Sequence, residues 1–202
     1  KIYINNIYLK IEGEYKMQIN DEYIKTVLKD LLNTPSPSGY CFKIMEKIKN
    51  FANELDVNYK MTQKGGCILS IKGKSDYTLG LSAHVDTLGA MVRSINDSGT
   101  LRLTTIGGYT MHSIEGEYCT IHTRDDKTYS GTIINNHTSV HVYNDAKENE
   151  RNEKNMEIRL DEKVENKKDV LKLGIDVGQF ISFDPRCVIL DNGYIKSRHL
   201  DD

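Results

Sequence analysis

Short stretches in which apolar and polar residues alternate recur through the second half of the chain, and this pattern restricts the fold more than any other. Because successive side chains of a strand point to opposite faces, such alternation is typical of half-buried β-strands. Turn-forming sequences, among them Asp97-Ser98-Gly99 and Asp191-Asn192-Gly193, separate the stretches. Many short strands with regular turns predict a small β-barrel or sandwich. The stretches span residues 90–95, 100–105, 118–122, 128–134, 156–160, 179–183 and 187–190.

Two helices are predicted before this region. Apolar residues recur at helical spacing over 21–33, and Asn20 or Asp21 provides a side chain suited to cap the first turn. The same spacing recurs over 42–55, where Ser38 is the predicted cap. The two segments therefore predict a pair of amphipathic helices.

Strand signals follow the helices. Alternation over 57–62 and 67–71 predicts two strands, and the short apolar run 78–83 predicts a buried central strand. One further helix is predicted near 167–173, ended by Gly174 as a C-terminal cap.

These elements predict an α/β fold in which an incomplete, helix-flanked sheet carries an inserted small β-barrel domain. We assign residues 17–90 and 192–202 to the sheet-containing α/β domain. Residues 91–191 then form the inserted β domain.

The first sixteen residues allow two interpretations. A clear helical pattern begins only after Met17, and residues 13–17 match what a translated ribosome-binding site before a start codon would encode. Residues 1–16 are then a non-native leader. Alternatively they form an N-terminal edge strand, because residues 2–4 and 7–9 are rich in isoleucine, tyrosine and leucine.

Charge and composition exclude several classes of partner. The net charge is −2, from 27 basic and 29 acidic side chains, which leaves no positive field for a nucleic-acid backbone. No apolar run approaches the roughly 20 residues of a membrane helix. The cysteines form no C-x-x-C pair, so we expect reduced thiols and a cytoplasmic location. They are Cys41, Cys67, Cys119 and Cys187.

The residues best suited to chemistry follow the apolar run 78–83. His84 and Asp86 are two positions apart, so in a strand they point to the same side, where a histidine can bind a cation while a carboxylate orients its ring. An isolated H-x-D sequence also occurs as a surface pair. The adjacent Asp201 and Asp202 are more typical of a solvated helix start, but an aspartate there could instead bridge two cations.

Four motifs, in their order and spacing, resemble the tetrahedral or glutamyl-type aminopeptidases. The similarity runs from Met17 to Asp202, and its most specific parts are the A-H-x-D-T-x-G and L-D-D elements. The resemblance implies an α/β catalytic domain with an inserted β domain, in agreement with the pattern of elements. The motifs are Pro35-Ser36-Pro37-Ser38-Gly39, Lys64-Gly65-Gly66, Ala83-His84-Val85-Asp86-Thr87-Leu88-Gly89 and Ser197-Arg198-His199-Leu200-Asp201-Asp202.

The resemblance also implies site residues and a cofactor. His84 would bind one metal, Asp86 would orient His84, and Asp201 would bridge two divalent ions. Asp202 would play a supporting part. Zinc or cobalt suits histidine and carboxylate ligands.

The family's remaining catalytic groups fall after position 202. They are a general-base glutamate with a neighbouring glutamate ligand, a further aspartate and a late histidine. We therefore expect this chain to be a fragment without measurable peptidase activity. The implied partners are peptide substrates and other copies of the chain, which would form dimers that build a larger particle.

Two other functions remain open. The same residues would suit a related two-metal hydrolase, such as a dipeptidase, a deacylase or a protein classed as an endoglucanase. The inserted β domain could alternatively act as a non-catalytic assembly module.

Overall fold

The computed structural model describes residues 8–11, 14–17 and 19–201. Strand β1 (Tyr8–Ile11) pairs antiparallel with β2 (Glu14–Met17). Residues 1–7, 12–13, 18 and 202 lie outside the described residues. The leader hypothesis for residues 1–16 therefore falls partly outside them and stays a prediction.

The first predicted helix is confirmed as α1 (Asp21–Leu32). The Asn20 side chain accepts a hydrogen bond of 3.0 Å from the Tyr23 amide, which satisfies one of the free donors of the first turn. Asp21 and Glu22 place negative charge at the positive end of the helix dipole.

The second predicted helix is confirmed as α2 (Phe42–Glu54), but the prediction of its cap was wrong. Cys41 occupies the cap position and its side chain makes no capping hydrogen bond. Ser38 lies three residues before the cap position, and its hydroxyl donates to the Asp86 carboxylate.

The small sheet of this region is a hairpin of β3 (Asn58–Met61) and β4 (Cys67–Ser70). The predicted buried strand over 78–83 was wrong: no strand pairing involves it among the described residues, and Leu79 and Leu81 are 71% and 91% exposed. A central strand needs neighbours on both edges for its backbone groups, and here β3 and β4 pair only with each other. The helix-flanked sheet is thus found only in part.

The predicted barrel is confirmed as a closed, six-stranded antiparallel β-barrel. Its strands follow one another around the barrel in the order β10-β5-β6-β9-β8-β7. They are β5 (Gly89–Ile95), β6 (Leu101–Ile106), β7 (Tyr118–His122), β8 (Thr128–Asn135), β9 (Met156–Leu160) and β10 (Phe180–Phe183). The division into domains at 90 and 192 stays a prediction.

Three shorter elements accompany the barrel. A 3-10 helix covers Met111–Ile114, and α3 (Lys167–Lys172) is followed by Gly174, whose φ of +85° matches the predicted C-terminal glycine. After the barrel, β11 (Val188–Ile189) pairs with β12 (Ile195–Lys196).

Alternate residues of the barrel strands fill its interior, as the sequence pattern requires. Closure leaves no open edge, and each buried isoleucine or leucine contributes about 1.5–3 kcal/mol relative to exposure. The fully buried set includes Val92, Leu101, Leu103, Ile121, Ile133, Ile158 and Ile181.

In the part of the chain that the structure describes, no helix has the length and apolar character needed to cross a bilayer. The four thiols are unpaired. A cytoplasmic location stays a prediction.

An aromatic contact joins the helical region to the outside of the barrel. The Tyr40 ring lies 4.7 Å from the His122 ring and 5.2 Å from the Phe180 ring. His122 Nε2 lies 2.8 Å from Ser182 Oγ, while its Nδ1 is buried without a hydrogen-bond partner. Burial lowers the pKa of His122 from 6.5 to about 4, and the charge of Lys43 adds to this effect.

This buried histidine should make the protein sensitive to mild acid. Between pH 6.5 and about 4 the unfolded chain protonates His122 while the folded chain does not, so the free energy of unfolding should fall as the pH falls. The loss attributable to His122 is at most about 3 kcal/mol. Urea unfolding at several pH values gives the free energy of unfolding as a function of pH, and His122→Gln should make this pH dependence weaker than in the wild type. Replacement of an exposed histidine, His141→Gln, is the control. A pH dependence in His122→Gln equal to that of the wild type would contradict the assignment.

Candidate functional site

The proline-rich segment, residues 34–38, holds the H-x-D motif in place. The Ser36 hydroxyl donates to the Val85 carbonyl at 2.8 Å, and the Thr87 amide donates to the Ser36 carbonyl at 2.9 Å. Pro37 and Thr87 form a parallel bridge. Since Ser36 is fully buried, these bonds are shielded from water, and the segment replaces a neighbouring strand.

Close packing fixes the end of the motif. A Cβ atom added to Gly89 would lie 2.7 Å from Pro37 Cβ and 2.8 Å from the Ile181 carbonyl oxygen. Only glycine fits between the proline-rich segment and the barrel wall. This explains why the motif ends in glycine where the chain enters β5.

Asp86 connects the proline-rich segment to His84. Ser38 Oγ donates to Asp86 Oδ2 at 2.5 Å, and Asp86 Oδ1 lies 3.2 Å from His84 Nδ1. The Asp86 carbonyl oxygen is 3.1 Å from the same nitrogen. The bond from Ser38 lowers the pKa of Asp86, against the opposing effect of burial, and the bond to His84 lowers it further. Asp86 is therefore an anion in contact with the imidazole, and its role in orienting that ring stays a prediction.

His84 and Asp201 converge although 117 positions separate them in the sequence. His84 Nε2 lies 3.7 Å from Asp201 Oδ1. This separation is longer than a hydrogen bond and close to the roughly 3.5 Å expected between two ligands of one tetrahedral zinc ion. Because Nδ1 faces Asp86, Nε2 is the nitrogen presented to Asp201. The geometry fits a shared cation, and the metal-binding roles of both residues stay predictions.

Two ligands do not complete a metal site. Among residues 19–201 no group of three or more His, Cys, Asp or Glu side chains is arranged to hold a metal ion. Asp202, for which a supporting part was implied, lies outside the described residues.

A cavity of about 630 Å³ opens beside His84 and Asp86. Helix α2 and the β3–β4 hairpin supply most of its walls. The Lys64-Gly65-Gly66 motif lies at the hairpin turn and lines the same space. Gly39, the last residue of the proline-containing motif, lines it too, so three of the motifs quoted above meet here. The other lining residues are Cys41, Phe42, Met45, Ile48, Met61, Cys67, Ala83 and Val85.

Sequence reasoning missed the contacts that support the site. It identified the proline-rich segment as a motif but gave its two serines no bonding role. Ser38 was predicted to cap the second helix. The pattern that could have indicated its actual role is a hydroxyl at every second residue, which places Ser36 and Ser38 on the same side of an extended segment.

Two other histidines, His199 and His137, have surroundings that the structure describes. His199 is buried and lines a separate groove with Ser182 and Thr87. His137 lies in the loop after β8, where its Nδ1 is 2.9 Å from Asp145 and its ring stacks on Tyr143 at 4.2 Å.

Comparison with known proteins places the chain among peptidases. Residues 65–202 match the sequence profile described as M42 glutamyl aminopeptidase. The Bacillus subtilis (strain 168) protein named "Putative aminopeptidase YhfE" is 50% identical over 178 residues, covering 87% of this chain and 51% of the relative. The chain thus spans about half the length of this relative.

Solved structures show the same fold. A TET aminopeptidase from a marine sediment Thaumarchaeota archaeon superposes with a TM-score of 0.74 at 20% identity, covering 86% of this chain and 48% of that one. The Pyrococcus horikoshii TET1 peptidase, described as able to assemble into a tetrahedron or a large octahedral shell, gives 0.69 at 24% identity, with coverage of 88% and 51%.

Replacing Ser38 by alanine should raise the pKa of Asp86, because the bond that most lowers it is lost. Titration of the Asp86 side-chain carbon by NMR measures this change. The isosteric substitution Thr34→Val is the control. It removes a hydroxyl that donates to the Asp30 carbonyl and does not bond to Asp86. A pKa of Asp86 that responds equally to both variants would contradict the role given to Ser38.

Proposed function

Because the chain belongs to the M42 glutamyl aminopeptidase family, we propose that His84 and Asp201 are metal ligands of a two-metal aminopeptidase site in which Asp86 orients His84. The observation that carries the proposal is the approach of His84 Nε2 to Asp201 Oδ1 at 3.7 Å, with His84 Nδ1 already held by Asp86.

The contact between His84 and Asp86 suits metal binding by His84. A histidine ligand must be neutral and must present a lone pair. With the ring proton on Nδ1, donated to the Asp86 carboxylate, the lone pair lies on Nε2. The low pKa of Asp86 keeps that acceptor negatively charged. Asp201 is exposed, so its second oxygen remains accessible for another ion.

The substrate class follows from the family and is a proposal for the whole protein. Two divalent ions, zinc or cobalt, would supply an activated water and polarise the scissile carbonyl of a peptide. Of the residues that the structure describes, His84 and Asp201 would hold the ions and Asp86 would orient His84. Because no group of three or more potential ligands is arranged to hold an ion among them, we propose that residues 1–202 alone do not hydrolyse peptides.

The ligand assignment predicts that the 202-residue chain binds Co²⁺ only weakly, because His84 and Asp201 are part of an incomplete set of ligands. Co²⁺ titration followed by visible absorption should show saturable binding that is lost in His84→Ala and in Asp201→Ala. Asp86→Asn should weaken binding about tenfold or more, because outer partners of metal-binding histidines contribute that much.

His137 supplies a matched control, because it also pairs with an aspartate but lies in a loop of the barrel. His137→Ala should bind Co²⁺ as the wild type does. Equal loss in His84→Ala and His137→Ala, or undiminished binding in His84→Ala, would reject the site.

We further propose that the barrel mediates self-association. The P. horikoshii TET1 peptidase assembles into closed particles, and the loop after β8 exposes Val140 and Val142. Exposed apolar side chains held by an ordered loop are suited to an interface. The stacking of His137 on Tyr143 orders this loop.

Light scattering of the purified chain tests this proposal. We expect a mass above that of one chain, reduced towards the monomer by Val142→Asp. Val188→Asp, an exposed valine on the short β11–β12 hairpin, is the control and should leave the mass unchanged. A monomeric wild type at high concentration would contradict the proposal.

A further inference from the structure

The two chain segments that carry the candidate ligands are both fastened to one corner of the barrel. We propose that Glu117 and Tyr109 are positioning residues that set the separation between His84 and Asp201. This inference rests on the proposed function only for the identity of the ligands. The fastening itself consists of contacts among Tyr109, Glu117, Phe183 and Arg198, which we call the barrel clamp.

Glu117 fastens the segment that leads to Asp201. Its Oε1 lies 2.9 Å from Arg198 Nη2, in a pair whose side chains are only 13% and 12% exposed. Arg186 reaches the same oxygen at 2.8 Å. A buried ion pair of this kind tolerates the loss of one partner poorly, because the remaining charge is left desolvated.

Arg198 has further contacts with the barrel. Its Nη2 also donates to the Ser113 carbonyl at 3.0 Å, and its guanidinium lies 5.7 Å from the centre of the Phe183 ring. The Arg198 amide donates to the Pro185 carbonyl at 2.8 Å. Arg198 is three residues before Asp201, so the chain has little freedom between the fastened residue and the ligand.

Tyr109 fastens the other segment. Its ring meets Phe183 edge to face at 5.5 Å, and its hydroxyl donates to the Gly89 carbonyl at 2.8 Å. Gly89 ends the motif that contains His84 and Asp86. Burial raises the pKa of Tyr109, which keeps its hydroxyl protonated as a donor. Phe183 thus contacts both Arg198 and Tyr109, and the two ligand segments share one support.

Replacement of Glu117 should free the Arg198 side chain to move while the barrel stays folded. Arg198 Nε is already buried without a hydrogen-bond partner, so removing the carboxylate leaves the guanidinium with too few acceptors. The side chain then gains by moving towards water, and the segment 198–201 moves with it. The separation between His84 and Asp201 would no longer be fixed.

The chain offers matched controls for both positioning residues. Glu115 makes an ion pair with Arg151 at 2.8 Å, two positions from Glu117 but away from the Asp201 segment. Tyr129 donates its hydroxyl to the Leu173 carbonyl at 2.8 Å, elsewhere on the barrel. Glu115→Gln and Tyr129→Phe therefore remove an equivalent contact without touching either ligand segment.

The test measures His84 directly in the metal-free, 202-residue chain. NMR of the imidazole carbons at about pH 8, where an ordinary histidine is neutral, should show the His84 resonance displaced in Glu117→Gln and in Tyr109→Phe. It should be unchanged in Glu115→Gln and Tyr129→Phe. Co²⁺ titration of the same proteins should show binding weakened about tenfold by Glu117→Gln and within twofold of wild type for Glu115→Gln.

Thermal unfolding of all four variants separates positioning from stability. A merely structural role would lower the melting temperature in variant and control alike without a specific change at His84, and that result would overturn the proposal. Tyr109→Phe, which removes one oxygen atom, keeps the test decisive should Glu117→Gln fail to fold. If the wild type binds no Co²⁺ but the His84 resonance still responds as expected, the ligand assignment fails and the clamp stands.

Discussion

The geometry of the candidate site depends on the backbone pairing between the proline-rich segment and residues 85–87. A segment bearing metal ligands must have its backbone groups satisfied before its side chains can be held still. The residues immediately before it, 78–83, have no strand partner among the described residues. Ser36 supplies the missing partners for Val85 and Thr87, and its complete burial makes these bonds strong.

Side-chain electrostatics builds on that backbone frame. Ser38 follows Ser36 on the same side of the extended segment and donates to Asp86, and Asp86 in turn accepts from His84. The contacts run from a neutral hydroxyl through an anion to an imidazole. Because Nδ1 of His84 faces Asp86, Nε2 is the nitrogen directed at Asp201.

Local pattern predicted most of the secondary structure. Periods of 3.6 and 2 located α1, α2 and the six barrel strands, because each of these elements buries one face against a neighbour present in the chain. The prediction of a buried strand over 78–83 was wrong because no such neighbour is present among the described residues. Its apolar side chains indicate burial, but a local pattern does not show whether a partner exists. The proximity of His84 to Asp201 was expected only from the family resemblance, because the local sequence around either residue gives no information about the other. No local pattern identifies Glu117 and Tyr109, because their contacts are with residues distant in the sequence.

The closed barrel has a consequence for how the sequence can vary. The chain enters the barrel at Gly89 on β5 and leaves it at Phe183 on β10, and these two strands are hydrogen-bonded neighbours, with Ala90 opposite Ile181. Entry and exit are therefore adjacent whatever the intervening ninety or so residues do, provided that the barrel closes. Exposed loop positions such as Val140 and Val142 can therefore change their chemistry without moving His84 relative to Asp201. The fold thereby separates loops that are free to vary in sequence from the segments whose positions set the geometry of the candidate site.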